Sequence, residues 1–473
     1  TTASEPASTL DLMDVLLWIL GVLVVALGIG ISIGLHEFGH FYPARKFGVH
    51  VGKFMIGFGP TLWSRQFGET EFGIKAIPLG GYVSLSGMYP PTATTNRGFR
   101  LFRSLVQDAR DASAETITDD SRTFYRLGTF RRIVIMLGGP VMNLIIAAVL
   151  YLLLFSGFGI LAPSTNVGSV ADCVIPVTST DQTCKSGDPV APAKAAGIKV
   201  GDRIVSIDGV AFTDWTTNIA QIRDHTGDPL AFVIERAGQQ RTVTVTPVAS
   251  ERYVFDADGN PITNADGTIK TAIVGYAGVG PEYTRQQQSP AVAFEALGTN
   301  VLDVGRILVD LPSRMVQVWD AAFGSAERDV NGPVSVVGVG RIAGEVASLD
   351  GIDVVSRLSA LIGIVASLNV ALFVFNLIPL LPLDGGHVAV ALIDWIRLRI
   401  ARLFGRPDPA PIDTARLVPI TVIATALLIG MSALLIYRHR ANIANLMAGK
   451  ESRIGQKKES VEAAPADKSS EAR

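Results

Sequence analysis

Only two cysteines, Cys173 and Cys184, occur among 473 residues, too few for a disulfide framework or a four-thiolate zinc site. Charge is also scarce: Asp, Glu, Lys and Arg make up 18% of the chain, against roughly 25% in ordinary soluble proteins. There is no basic surplus, since 41 Lys and Arg face 43 Asp and Glu, and the electrostatic footprint of a nucleic-acid binder is missing with it. Apolar residues are plentiful, at 48% with a mean hydropathy of +0.36, and they gather in long blocks. That pattern excludes both a single soluble domain and a mostly disordered chain, and points to a membrane protein.

Four segments have the length and apolarity to cross a hydrocarbon core: 15–35, 133–160, 358–396 and 417–437. The first follows acidic residues and lacks a cleavage site, so it reads as a retained helix and not a signal peptide. The third is too long for one crossing and should break near Pro379 and Pro382. Residues 1–14 form a polar N-terminus, and 438–473 reads as a disordered tail. Arg45, Lys46, Arg131 and Arg132 flank the loop 41–130, and Arg397, Arg399, Arg402 and Arg406 lie in 397–416. Those two loops are expected in the cytoplasm, against the vote of Arg438 and Arg440, which leaves 161–355 outside the plasma membrane.

The outside region begins with short runs of alternating apolar and polar residues, separated by Gly, Pro and Asp, over 161–250. The stretch from Ala191 to Gly209 resembles PDZ domains, where a short helix leads to a strand ending in an Asp-Gly turn. Strands are expected over 230–235 and 241–248. Such a domain either accepts an extended peptide or carboxylate terminus at an edge strand and backbone nest, or acts as a steric filter. On the oxidising side of a membrane, Cys173 and Cys184 are expected to bridge. Residues 251–355 read as a linker with an amphipathic helix around 291–323.

Chemistry appears at the end of the first apolar run, where His36-Glu37-Phe38-Gly39-His40 forms HExxH. Imidazoles four residues apart share one helix face and can reach one ion, with Glu37 beside it to take a proton from water. Three ionisable groups at the edge of an apolar span are costly unless they have a function. A catalytic zinc takes three protein ligands, so one more is needed. The soluble continuation with a third His fails, because residue 46 is Lys. Glu69 and Glu71 are candidates in the following loop. Asp384 is a better one, in Asn376-Leu-Ile-Pro-Leu-Leu-Pro-Leu-Asp384-Gly-Gly-His387, a polar interruption of an apolar span. Asp384 also reads as a helix cap after Pro382, a role that need not exclude ligation, and His387, one turn on, is a rival ligand ranked below it.

These residues resemble the site-2 protease family of intramembrane zinc metalloproteases, which carries HExxH in one helix and an Asn-x-x-Pro…Leu-Asp-Gly segment in a later one. Gly139-Pro140-Val141-Met142-Asn143 resembles the family's Gly-Pro-x-x-Asn element. Gly57-Phe-Gly-Pro60 with Pro78-Leu-Gly-Gly-Tyr82 resembles its membrane-associated β-hairpin region. Together the likeness covers most of 15–437, and it is greatest to actinobacterial homologues of the regulator of sigma-E protease. One departure is Leu381, where many bacterial members have proline.

The resemblance implies a polytopic α-helical membrane protein with about four transmembrane helices, a membrane-associated β-hairpin region and one inserted extracytoplasmic PDZ-like α+β domain. It implies zinc on His36, His40 and Asp384, Glu37 as general base, and cleavage of single-span substrates such as anti-sigma factors or remnant signal peptides. Asn376 is expected to hydrogen-bond the unwound substrate, and the 57–87 hairpin edge to pair with it. The alternatives are a PDZ-containing membrane scaffold, a metal transporter without proteolysis, and a membrane-anchored protease whose third ligand lies just after His40.

Overall fold

The computed structural model describes residues 12–89, 106–310 apart from positions within 109–118, 180–182, 256–260 and 265–267, and 336–423 apart from 411 and 420, with isolated positions elsewhere. The chain divides into two compact units, residues 1–150 with 296–473, and residues 151–295.

In the first unit, α1 (Leu12–Lys46) is an unbroken apolar helix that carries HExxH and continues past it. Its outer surface exposes Leu16, Leu20, Leu23, Leu27 and Ile31, as a lipid-facing helix must. A long hairpin follows, β1 (Val51–Phe67) and β2 (Thr70–Leu85), paired antiparallel around the Gly68-Glu69 turn. Residues 53–56 pair with 81–84 on one side and with 71–74 on the other, and 71–75 pair again with 61–66, so both strands bend and the ribbon folds into a sheet of four segments. Beyond the bend it exposes Leu62, Trp63, Phe67 and Ile74, an apolar tip suited to an interface. At its base, Ala44, Val49, Val51, Leu85, Phe124, Ile135 and Met136 form one buried cluster. Full burial of each larger aliphatic there contributes about 1.5–3 kcal/mol over exposure. That cluster ties the end of α1 and the hairpin root to α2 (Thr129–Leu152).

Three helices in the described residues are long and apolar enough to cross a membrane: Leu12–Lys46, Thr129–Phe158 and Val354–Asn376. The expected break in the third apolar segment is present. The helix α7 (Val354–Asn376) stops, residues 377–383 turn back, and α8 (Asp384–Leu403) begins. A Cβ at Gly385 or Gly386 would collide with the backbone of that returning segment, so the Gly-Gly pair lets 377–383 lie across the start of α8. The fourth apolar segment, 417–437, falls largely outside the described residues. Between α5 (Pro290–Val309) and α7, the linker contains an additional helix, α6 (Val336–Ser348), that packs on α1. Gly21 faces Ala343 and Ala347, and Gly344 faces Trp18, so small residues allow close approach.

The second unit is β-rich. Its six-stranded sheet runs β10 (Val279–Gln286), β3 (Ile160–Val170), β4 (Arg203–Ile207), β6 (Leu230–Arg236), β7 (Gln239–Val245), with β5 (Val210–Ala211) on β4. The helix α3 (Pro192–Ala195) precedes β4, and an Asp208-Gly209 turn with φ of 48° and 79° follows it, as its residues lead one to expect. Leu230, Phe232 and Ile234 alternate inward along β6 onto Ile204, Ile207 and Trp215. The strand set continues past residue 250: β8 (Val248–Tyr253) pairs with β9 (Thr271–Tyr276), and β10 returns to β3. The helix α4 (Trp215–Asp224) is capped by Asp214 and lies against β9. Cys173 and Cys184 are disulfide-bonded.

Candidate metal centre

His36 and His40 present Nε2 atoms 3.3 Å apart, and Oδ2 of Asp384 lies 3.4 Å from each. These are the His, Cys, Asp and Glu atoms that converge as a metal-sized group among the described residues. Their spacing can be compared with the ion the chemistry implies. A tetrahedral zinc about 2.0–2.1 Å from each donor requires donor–donor separations of about 3.3–3.4 Å. Asp384 Oδ2 is buried and has no hydrogen-bond partner, an anionic oxygen whose solvation is missing until a cation supplies it. The donor set fits zinc.

Second contacts orient the rings. His40 Nδ1 lies 2.8 Å from the Ile135 carbonyl, so it carries the proton and leaves Nε2 free to ligate. Asn143, fully buried on α2, faces His36 Nδ1 at 3.0 Å. The amide orientation that sets Oδ1 on that nitrogen lets it accept the Nδ1 proton, and it gives a partner to an oxygen that otherwise has none. Replacing Asn143 with Leu keeps the volume but strands the ring N–H. Zinc affinity is expected to fall about ten- to a hundredfold in chelator competition, and unchanged affinity would remove Asn143 from this role.

The helix crossing that brings α2 so near depends on glycine. A Cβ on Gly39 or on Gly138 would overlap the other's backbone. Pro43, inside α1, has no N–H to give the Gly39 carbonyl, which is the group facing Gly138. One residue on, a Cβ at Gly139 would overlap His40 Nε2 and lie 2.7 Å from Cε1 and Nε2 of His36. Glu37 is buried on the other side. A Cβ at Gly81 of β2 would come 2.8 Å from its Cγ and 3.2 Å from its Oε1, so the hairpin strand borders the carboxylate.

Of the sequence candidates, His36, His40 and Asp384 converge and Glu37 lies beside them. Glu69 is engaged elsewhere: both its oxygens accept from Arg122 at 2.8 Å, and that guanidinium lowers its pKa to about 2. Glu71 and His387 are outside the converging group, and His387 lines a small cavity with Arg132 and Thr414. Asn376 is the last residue of α7 and part-exposed. Sequence reading noticed Gly139 and Asn143 but gave neither a role. The available signal was an amide at membrane depth.

The family model described as Peptidase family M50 matches residues 24–406. The chain is similar to the zinc metalloprotease Rip1 of Mycobacterium tuberculosis, 33% identical over 418 residues, covering 88% of this chain and 96% of the relative. Rip1 of Mycolicibacterium smegmatis is 30% identical over 426 residues, covering 87% and 95%. A putative zinc metalloprotease of Vibrio cholerae is 26% identical over 471 residues, covering 81% and 92%.

Proposed function

The chain belongs to Peptidase family M50, and from that premise we propose that it is an intramembrane zinc metalloprotease that hydrolyses peptide bonds in membrane-spanning segments, with His36, His40 and Asp384 as zinc ligands and Glu37 as general base. The observation that carries this reading is the triangle of 3.3 and 3.4 Å between three donor atoms contributed by two apolar-flanked helices. A scaffold has no use for such a triangle. A transporter has no use for a buried carboxylate set beside it and left out of the donor set.

Zinc, when bound, supplies Lewis acidity toward the scissile carbonyl and the attacking water. Glu37 takes the proton from that water and passes it to the leaving amine. His36 and His40 hold their protons on Nδ1, toward Asn143 and Ile135, and so stay fixed through the cycle. Burial of Glu37 against Gly81 keeps the carboxylate aimed and limits competing water.

A substrate helix hides its peptide bonds in internal hydrogen bonds and must unwind, which leaves backbone groups that lipid cannot satisfy. We assign their pairing to the β2 edge around Gly80–Tyr82, which borders Glu37, and to Asn376, on the segment that leads to Asp384. The exposed apolar hairpin tip supports placing β1 and β2 at the membrane surface. Residues 151–295 are read as a PDZ-like, peptide-accepting module outside the plasma membrane, a placement supported by the Cys173–Cys184 bridge. Anti-sigma factors or remnant signal peptides are the substrate classes assigned.

The test uses purified protein and a single-span substrate in proteoliposomes. Cleavage within the span should be abolished by chelator, restored by zinc, and reduced about two- to tenfold by Asn376→Ala, one charge-free hydrogen bond's worth at the reacting segment. Chelator-insensitive cleavage, or cuts confined to the soluble tails, would sink the reading. Unchanged turnover in Asn376→Ala would sink only the role of that side chain.

A further inference from the structure

The helix α8 lacks the composition of a membrane span, because Asp384, Asp394, Arg397, Arg399 and Arg402 lie among its 20 residues. One side of it is nevertheless too apolar for water. Leu392, Ile396, Ile400 and Leu403 recur at helical spacing, Ile393 and Phe404 lie beside them, and the six residues are 45–81% exposed. The opposite side is packed. Ala391 and Asp394 are buried there, and Asp394 accepts the Ile412 N–H at 2.9 Å.

Arginines border the apolar stripe. At about 100° per residue, Arg399 and Arg402 fall on one flank with Trp395, and Arg397 falls on the other. Two of these charges are compensated: Arg397 faces Asp394 at 3.4 Å, and Arg402 donates to both oxygens of Asp408 at 3.0 and 2.9 Å. Arg399 and Arg406 are exposed and have no carboxylate partner among the described residues. The guanidinium carbon of Arg399 lies 5.4 Å from the centre of the Trp395 ring. Arg406 is fixed at the helix end, because Gly405, with φ of 63°, turns the chain so that the Arg406 N–H reaches the Ala401 carbonyl at 2.8 Å. An exposed apolar stripe is costly in water and an uncompensated guanidinium is costly in hydrocarbon, so this face is stable where the two media meet. Trp395 is a side chain that partitions to that boundary.

We propose that this face of α8 is a docking surface for acidic phospholipids, with the stripe among acyl chains and Arg399 and Arg406 on headgroup phosphates. Lipid is favoured over a protein partner by position and by composition. The helix follows a span-length apolar helix, α7, after residues 377–383 alone, and no polar side chain interrupts the stripe to set the register of a protein. An acidic lipid is favoured over a zwitterionic one because the uncompensated charges are of one sign, and a zwitterionic headgroup brings its own cation to each phosphate. The inference concerns the bilayer and not the reaction, and it is independent of peptide hydrolysis.

The test uses the full chain in phosphatidylcholine proteoliposomes that contain a small fraction of dibrominated phosphatidylglycerol or, in matched vesicles, of dibrominated phosphatidylcholine. Bromine quenches tryptophan on contact, and the Trp395 signal is isolated as the difference between the parent chain and Trp395→Phe. Half-maximal quenching should need about ten- to thirtyfold less of the acidic lipid, about fivefold for each free arginine. Molar salt should shrink that preference. Arg399→Gln with Arg406→Gln should bring the two lipids within about twofold of each other. Arg399→Lys with Arg406→Lys keeps the charge and should keep most of the preference, which guards against a misfolded Gln variant. Equal quenching by both lipids in the parent chain, an undiminished preference in the Gln pair, or a preference lost equally in the Lys pair would each overturn the proposal. Absence of quenching by either lipid would place the face against protein, and loss of the preference to soluble glycerol phosphate beyond the effect of matched salt would assign the arginines to a free phosphate. Both results overturn it as well.

Discussion

Replacing Glu37 with Gln is expected to lower proteolysis by about two to four orders of magnitude, the range for loss of a positioned general base, while zinc content stays at the level of the parent chain. The two halves of that result come from different features of the site. Gln has the shape of Glu and sits in the same buried position against Gly81, so the packing of α1 on the hairpin is retained. Glu37 is not among the three atoms that converge, so its loss removes no ligand. What Gln lacks is an acceptor basic enough to take a proton from water and return it to the leaving amine. Zinc measured on the purified variant, alongside turnover of a single-span substrate, separates this from collapse of the site. Full activity in Glu37→Gln would remove the general base from the mechanism. Loss of zinc together with activity would make Glu37 a ligand and leave the mechanism without a base.

The most informative residues in the sequence are those whose cost demands a function. His36, Glu37 and His40 are three ionisable groups at the end of an apolar run, and their helical spacing already places both imidazoles on one face. Asp384 is legible for the same reason, as a carboxylate among leucines and prolines. The sequence already ranks it above Glu69 and His387, and the fold adds the physical reason: Arg122 holds the Glu69 carboxylate, and His387 lies outside the converging group. The break at 377–383 was readable from Pro379 and Pro382, whose missing N–H groups stop a helix wherever they fall.

Less legible was everything that depends on long-range closure. Gln286 pairs with Ile160, so the second unit needs strands well past residue 250, and no local alternation announces a partner so distant in sequence. The helix Val336–Ser348 has the same character. Its composition reads as linker until Gly21 is seen to accept Ala343 and Ala347.

Gly139 is the extreme case, because its contribution is the absence of an atom, and it carries the other large expected effect. Gly139→Ala should lower zinc affinity by more than about a hundredfold, beyond the range for second-contact changes, and abolish proteolysis with the helix content unchanged. The added Cβ would occupy space already held by His40 Nε2 and press within 2.7 Å of Cε1 and Nε2 of His36. Two relaxations are open. The helices can separate, but Gly39 and Gly138 are in backbone contact one residue away, and the Ile135–Met136 cluster ties α2 to the hairpin root, so separation forfeits packing. The imidazoles can instead swing off, at the cost of the His40–Ile135 and His36–Asn143 contacts, and that turns two of three donors away from Asp384. The two routes cost comparable amounts, since overpacking a crossing costs about 1–3 kcal/mol and turned side chains lose two hydrogen bonds of about 1 kcal/mol each. Either route breaks the 3.3–3.4 Å triangle. Gly30→Ala on the same α1 helix is the control, because a Cβ there meets nothing within 4 Å, and it should retain both zinc and turnover. Metal content by mass spectrometry, circular dichroism and cleavage on both variants decide the matter. Parental zinc and turnover in Gly139→Ala would mean that α2 does not press on the imidazoles, and the close crossing described here could not then be what positions them.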